Sequence, residues 1–391
     1  MKQRKKLMLP GPVDVFDETL EAMSQPVRSN FTEDWGEIYG ETIGYLKQVF
    51  QTQNDIYIMT APGSGAIEAS IASLFMHGDK VAAVSNGPFA NRAIEILRHF
   101  GCTVIEVPET WGKAGSIAKM RQTLDEHPDI VGIAVVANET GTGVRNPVKD
   151  LTQLAHERNI PIFVDAVSGM GGYNLPVDEW GIDLICTSSN KALEMAPGLG
   201  IICVSPRAWE IIDAKKEKAH RGWYYNLSTW KQYGASRPGA APSPTTMATS
   251  MIVGLHASLK RIVEGETLQG HWDRYVWAQK AVRVGLSNIG FPMLVDDADA
   301  SFTVTTVCKH EAMEHEQELR DYLAANHNYT VSGTWGELTG KAFRVAHMGR
   351  ASTPEYLIPF LLGIEEYVRN ELKVDVPVGA SLVGLKQQLG D

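Results

Sequence analysis

The chain has 391 residues, 44% hydrophobic and 21% charged, enough for two domains with a large core and too apolar for extended disorder. Its formal net charge of −10 argues against a nucleic-acid or anionic-membrane partner. Cys102, Cys186, Cys203 and Cys308 are scattered, three of them inside apolar runs, which fits reduced thiols of a cytoplasmic protein better than a disulfide frame.

Met1–Lys6 is basic, but Leu7-Met8-Leu9 runs straight into Pro10-Gly11-Pro12. No signal-peptide core follows, and no later run approaches a membrane span. Residues 15–25 carry weak helical character and 28–35 read as irregular. Ile38, Ile43, Leu46 and Phe50 predict an amphipathic helix over 36–51. From residue 56 the pattern alternates. Strand-like runs occupy 56–59, 81–84, 103–107, 130–136, 160–164, 182–186 and 200–204, with helical stretches at 64–77, 88–100, 114–127 and 147–158. Continuous apolar strands separated by helices predict an α/β fold built on a seven-stranded, mainly parallel sheet covered on both faces. Residues 220–245 are irregular and aromatic, with Trp223, Tyr224, Tyr225, Trp230 and Tyr233, and contain Arg237-Pro238-Gly239 and Pro242-Ser243-Pro244. Such rings either face a partner or pack on their own subunit. Helices near 245–263 and 265–288 come next. A strand at 302–307, a helix at 312–325, strands at 329–333 and 342–347 and a helix from Pro354 complete a smaller α+β unit. The expected division is a large domain over 15–258 and a small one over 259–391, with segment 1–14 packing near the small one.

The residues that carry chemistry fall at strand ends. Lys191 lies in Thr187-Ser188-Ser189-Asn190-Lys191-Ala192-Leu193, after an apolar run. A lysine withdrawn from water becomes a neutral amine able to form a Schiff base; the alternative is an ordinary surface lysine. Asp165 closes Pro161-Ile162-Phe163-Val164 and should project at the carboxyl end of the sheet, where ligands of open α/β folds sit. It can pair with a protonated ring nitrogen or merely cap a helix. Pro62-Gly63-Ser64-Gly65 follows a strand and opens a helix, a place that favours an anion, although it fits neither a P-loop nor GxGxxG. Phe89, in Asn86-Gly87-Pro88-Phe89, can stack on a flat ligand or pack in the core. Thr140, in Asn138-Glu139-Thr140-Gly141, can donate to a ring oxygen or sit in a plain turn. No HExxH or CxxC is present, and His310 and His315 are off the ligand spacing of one helix face, so no metal is expected.

Together these segments resemble the class V aminotransferases of pyridoxal-phosphate (PLP) fold type I, the group of alanine–glyoxylate and serine–pyruvate aminotransferases. The likeness runs from Pro10-Gly11-Pro12 to Arg344. It is most specific in Val164-Asp165-Ala166-Val167-Ser168-Gly169-Met170-Gly171-Gly172, in Ser189-Asn190-Lys191-Ala192-Leu193 and in Ala196-Pro197-Gly198. The resemblance implies PLP as cofactor, with Lys191 as the Schiff-base lysine and proton carrier and Asp165 as the partner of the pyridine nitrogen. Phe89 would stack on the ring and Thr140 would lie near its phenolic oxygen. Gly63, Ser64 and Asn190 would hold the phosphate, and Thr246 would reach the phosphate of the neighbouring subunit in a homodimer. Arg344 would bind the substrate carboxylate, a task suited to a planar guanidinium. The implied reaction moves an amino group from a small amino acid, alanine or serine, to a 2-oxo acid, glyoxylate or pyruvate. Asn190 stands where glutamine is common, Phe89 where tryptophan is common, and Pro62 where a small hydroxyl residue is common. Asn190 and His347-Met348-Gly349 also resemble relatives acting on pyridoxamine, and Asn190 those acting on 2-aminoethylphosphonate. A lyase or desulfurase on the same scaffold is a further alternative, the latter needing a reactive cysteine on a mobile loop.

Overall fold

The computed structural model describes residues 4–215, 222–236 and 243–385. Its strands are β1 (Lys6–Met8), β2 (Asp55–Thr60), β3 (Lys80–Ser85), β4 (Thr103–Pro108), β5 (Gly132–Val136), β6 (Asn138–Glu139), β7 (Val144–Arg145), β8 (Ile162–Asp165), β9 (Leu184–Ser188), β10 (Leu199–Val204), β11 (Val304–Cys308), β12 (Tyr329–Gly333) and β13 (Ala342–Ala346). Seven of them form one sheet in the order β2-β10-β9-β8-β5-β3-β4. Only β10 runs against its neighbours; the remaining contacts are parallel.

Side chains alternate between two cores along these strands. Ile56, Ile58, Ile133, Val135, Ile162, Val164, Ile185 and Ile201 face one core. Tyr57, Met59, Ala134, Phe163, Leu184, Cys186 and Ile202 face the other. Both faces are covered by helices, so neither parity can be polar, and each strand reads as an unbroken apolar run. Two of the helices between these strands start on local chemistry. Pro88 sits at the first position of Pro88–His99 after Gly87, and the Ser116 hydroxyl accepts from the Lys119 amide at the start of Ile117–Glu126.

A second sheet, β1-β12-β13-β11, carries its own core of Val307, Tyr329, Phe343 and Val345. Helices Leu268–Asn288, Gln317–Asn326 and Pro354–Asn370 pack on it. β1 pairs in parallel with β12, joining the chain's start to this unit.

Several expectations are corrected. The strand expected over 182–186 runs from Leu184 to Ser188. Asp183 precedes the ladder and its buried carboxylate accepts from the Ile162 amide and Arg207, while Thr187 and Ser188 pair with Ile201 and Gly200. The irregular segment 28–35 already enters a helix at Glu33, and residues 227–236 form a helix within the supposedly irregular 220–245. Of the aromatics there, Trp230 is buried and donates to the Tyr224 carbonyl at 2.7 Å. Trp223 is exposed. Arg237-Pro238-Gly239 and Pro242 lie outside the described residues. Helix Thr249–Lys260 runs through residue 258, and Leu259, Val263 and Leu268 pack on the core of the larger sheet. No described helix is long and apolar enough to cross a membrane.

Candidate active site

β2, β3, β5, β8 and β9 all point their carboxyl ends at the same rim of the sheet, and the segments leaving them meet there. The resulting cleft encloses about 640 Å³, part of it open to solvent. Gly63, Ser64, Phe89, Thr140, Asp165, Asn190 and Lys191 line it, together with Arg92, Asn138, Val167, Ser168 and Ser188.

Asp165 is the last residue of β8 and is buried. One of its oxygens accepts from the Val167 amide at 2.9 Å. Burial pushes its carboxyl up to about 6, against the pull of that amide and of the Lys191 and Arg92 charges. Lys191 sits in a fixed turn. The Glu194 amide donates to its carbonyl at 2.9 Å, the Met195 amide donates to Ser189, and the Ser189 hydroxyl reaches the Ala196 carbonyl. Burial pushes the Lys191 amine down to about 8. Arg344 lowers it further and Asp165 opposes. The amine donates to the Pro10 carbonyl, and a Cβ on Gly11, whose φ is +136°, would lie 2.4 Å from it. Only glycine therefore lets the chain's first segment close over the lysine.

Phe89 opens helix Pro88–His99, and the Arg92 guanidinium lies 4.8 Å over its ring. The helix start is anchored by Glu139, a buried carboxylate that accepts from the amides of Phe89 (3.1 Å), Ala90 (2.7 Å) and Gly141 (2.8 Å). Burial pushes that carboxyl up to about 7 although the three amides pull it down. Thr140 sits in the turn between β6 and β7, its hydroxyl 2.6 Å from that of Ser168. Gly63 and Ser64 form the first turn of Gly63–Leu74, where amides lack intrahelical acceptors.

Arg344, on β13, is buried beside the cleft. It donates to the Gly333 carbonyl at 2.9 Å and, at 3.4 Å, to that of Thr140. Burial pushes its guanidinium down to about 10. Thr246 is exposed and lies outside the cleft lining. His347 is buried, with one ring nitrogen 3.1 Å from the Thr305 hydroxyl, and does not line the cleft.

Arg92, Asn138, Val167, Ser168 and Ser188 escaped the sequence reading. Two signals were available. Arg92 falls three residues after Phe89, on the same helix face, and Val167-Ser168 directly follows Asp165. Asn138 and Ser188 gave none beyond standing near Thr140 and Lys191.

A family model described as aminotransferase class-V matches residues 14–353. The chain is 33% identical over 354 residues to an uncharacterized aminotransferase of Methanocaldococcus jannaschii, covering 90% of each. Among solved structures it is similar to an alanine–glyoxylate aminotransferase from Nostoc sp., with a TM-score of 0.89, 28% identity and coverage of 94% of this chain and 96% of that one. It is similar also to the ureidoglycine–glyoxylate aminotransferase of Bacillus subtilis, with a TM-score of 0.91, 27% identity and 98% coverage of both. The chain belongs to the class V aminotransferases.

Aminotransferases of this family and fold are PLP-dependent, and the residues present fit that group. The Ser188 hydroxyl is buried at the cleft wall without a hydrogen-bond partner among the described residues. A Cβ on Gly63 would press to 3.1 Å from Val167 and 3.3 Å from Ser188, so the glycine keeps the cleft floor open beside a helix N-terminus. The amine of half-buried Lys191 and the buried carboxylate of Asp165 complete the donor set.

Proposed function

We propose that this aminotransferase transfers an amino group from a small amino acid, alanine or serine, to glyoxylate or pyruvate, and that the residues gathered in the cleft do the work. The observation that carries the reading is the presence in one cleft, at the carboxyl rim of the sheet, of a shielded amine, Lys191, and a buried carboxylate, Asp165. Bound PLP supplies the electron sink for the bond broken at the substrate α-carbon.

Each side chain has a task. The Lys191 amine, with its pKa pushed down to about 8, takes the α-proton and returns it, which requires an amine near neutrality at working pH. Asp165 holds a proton on the ring nitrogen by supplying an adjacent negative charge. The amides and hydroxyl of Gly63 and Ser64, with Asn190, receive the phosphate at the helix N-terminus. Phe89 covers one ring face and Thr140 donates at the ring oxygen. Arg344 orients the substrate carboxylate. Residues 15–258 act as the cofactor-binding unit and 259–391 as the unit that brings Arg344. The active enzyme is a homodimer in which Thr246 of the partner subunit completes the phosphate site, and the reduced thiols suit the cytoplasm.

Burial favours transamination over desulfurase chemistry. It raises all four thiols, Cys102 to about 11 and Cys203 to about 12, with Cys186 and Cys308 also above their ordinary value. None is the exposed thiolate a desulfurase needs.

The decisive experiment is a half-reaction screen that follows the cofactor's absorbance with alanine, serine, aspartate, 2-aminoethylphosphonate and pyridoxamine, in wild type and Lys191→Ala. Alanine or serine should discharge the wild type fastest, and the variant should have no turnover. A variant that transaminates at the wild-type rate removes Lys191 from the mechanism. A preference for pyridoxamine or aminoethylphosphonate replaces the donor named here.

A further inference from the structure

Trp335 is a large apolar side chain left 47% exposed on the loop between β12 and the turn Gly336–Leu338. Its ring meets Phe89, which lines the cleft, and Arg344, which lies beside it. The Phe89 ring approaches it edge-on, with centroids 5.7 Å apart and planes at 71°. The Arg344 guanidinium lies 4.2 Å over its face. The loop is held firmly at its base, because the Thr334 hydroxyl reaches the carbonyls of Leu338 (2.6 Å) and Ala342 (3.1 Å).

Arg344 is a charge in need of an anion. The acidic group that acts on it, Glu139, does so through space, with its oxygens already accepting from three backbone amides. Nε is bound to the Gly333 carbonyl, and the contact of one terminal nitrogen with Thr140 is long, at 3.4 Å. A ring on one face of the guanidinium leaves its edge free, and the edge is where a carboxylate binds in bidentate fashion.

We propose that Trp335 is a specificity-determining residue that forms the outer wall of the amino-acid pocket, fixing the plane of Arg344 and restricting the donor to small side chains. The inference rests on Arg344 being the substrate-carboxylate group. The wall spans both units of the chain, since Phe89 comes from the large sheet's helix and Trp335 from the small sheet's loop. A substrate side chain longer than one or two carbons would have to displace the Trp335 ring from both contacts.

The test uses the holoenzyme with Trp335→Ala and Trp335→Phe. Calorimetry gives the affinity for propionate, an unreactive small carboxylate, and half-reaction rates compare alanine with leucine. Trp335→Ala should bind propionate about tenfold more weakly, the effect of losing a partly desolvated cation–π contact. Its leucine-to-alanine rate ratio should rise at least as much, with thermal midpoint and bound-cofactor absorbance at wild-type values. Trp335→Phe, which keeps a ring face, should recover most of both losses. Wild-type affinity and wild-type ratio in a folded Trp335→Ala overturn the proposal. If Trp335→Ala does not fold, Trp335→Phe decides: propionate binding two- to threefold weaker supports the wall, and unchanged binding overturns it. A wild type that binds propionate but reacts with no amino acid defeats the proposed function and leaves the wall standing, whereas no propionate binding defeats both.

Discussion

Lys191 and Asp165 are pushed toward neutrality from opposite directions, and both displacements are costs that folding has to carry. Asp165 rises from 3.8 to about 6 because burial removes water from its carboxylate. The folded chain therefore binds the Asp165 proton more tightly than the unfolded chain, and stability falls as pH rises from about 4 to about 6. Above that window the ionised carboxylate weakens the cofactor-free fold by on the order of 3 kcal/mol, since a tenfold change in proton affinity is worth about 1.4 kcal/mol. Asp165→Asn removes the charge and keeps an oxygen for the Val167 amide. Cofactor-free Asp165→Asn should resist urea better than cofactor-free wild type at about pH 8. The gain should shrink through the window and vanish below about pH 4, while transamination is lost. Urea midpoints at several pH values spanning the window read this directly; a variant less stable than wild type above the window contradicts it.

Glu139 ties the first amides of helix Pro88–His99, which carries Phe89 and Arg92 at the cleft, to the turn of the β6–β7 ribbon. Removing the carboxylate leaves buried donors without an acceptor, at roughly 1–3 kcal/mol each before water enters. Glu139→Ala should lower stability by about 3 kcal/mol and raise the dissociation constant for PLP by loosening the ring wall. Glu139→Gln, whose amide oxygen can still accept, should recover part of both. Equal PLP affinity in all three proteins, measured by absorbance titration, would detach Glu139 from the site. Nothing in the sequence announced this tie. A glutamate in a Thr-Gly turn looks solvated, and two-residue strands such as β6 and β7 are too short to carry periodicity. β1 was hidden similarly, three residues in a basic start. The long elements were legible because both faces of the sheet are buried, so their strands read as apolar blocks. β9 was misplaced by two residues because Thr187 and Ser188 look like loop, yet their small side chains suit a buried ladder. The lysine, carboxylate and glycine turn were legible because each follows such a block, whereas Arg344 stands inside β13 and was reached through the family resemblance. The Asn138 and Ser168 side chains were not legible, since they meet across a separation of 30 residues.

Across the whole molecule, the turn that carries Lys191 is welded to the small unit by one buried carboxylate. Burial opposes the charge on Glu194, but Arg274, His271 and Arg261 hold it ionised below the ordinary range, with the Tyr275 hydroxyl donating to it at 2.5 Å. The Gly349 amide donates to the same carboxylate at 3.0 Å, so the lysine turn, helix Leu268–Asn288 and the segment after β13 share one ionic knot. Thr246 lies outside this arrangement. Its segment returns to the end of β2, where the Ala248 amide donates to the Thr60 hydroxyl at 3.3 Å, but its own side chain faces outward. The role proposed for Thr246 at a phosphate would have this exposed threonine serve a second copy of the chain. Mixing Lys191→Ala chains with Thr246→Ala chains tests that arrangement. The Lys191→Ala homodimer should be inactive, and the Thr246→Ala homodimer should bind PLP about tenfold more weakly through loss of one hydrogen bond to a charged group. In a mixed dimer, one of the two sites combines an intact lysine from one chain with an intact Thr246 of the partner subunit. That site alone should recover wild-type PLP affinity and turnover. Activity at limiting PLP should therefore rise above the average of the two homodimers after subunit exchange. Activity equal to that average at every mixing ratio would mean that each site is built from a single chain.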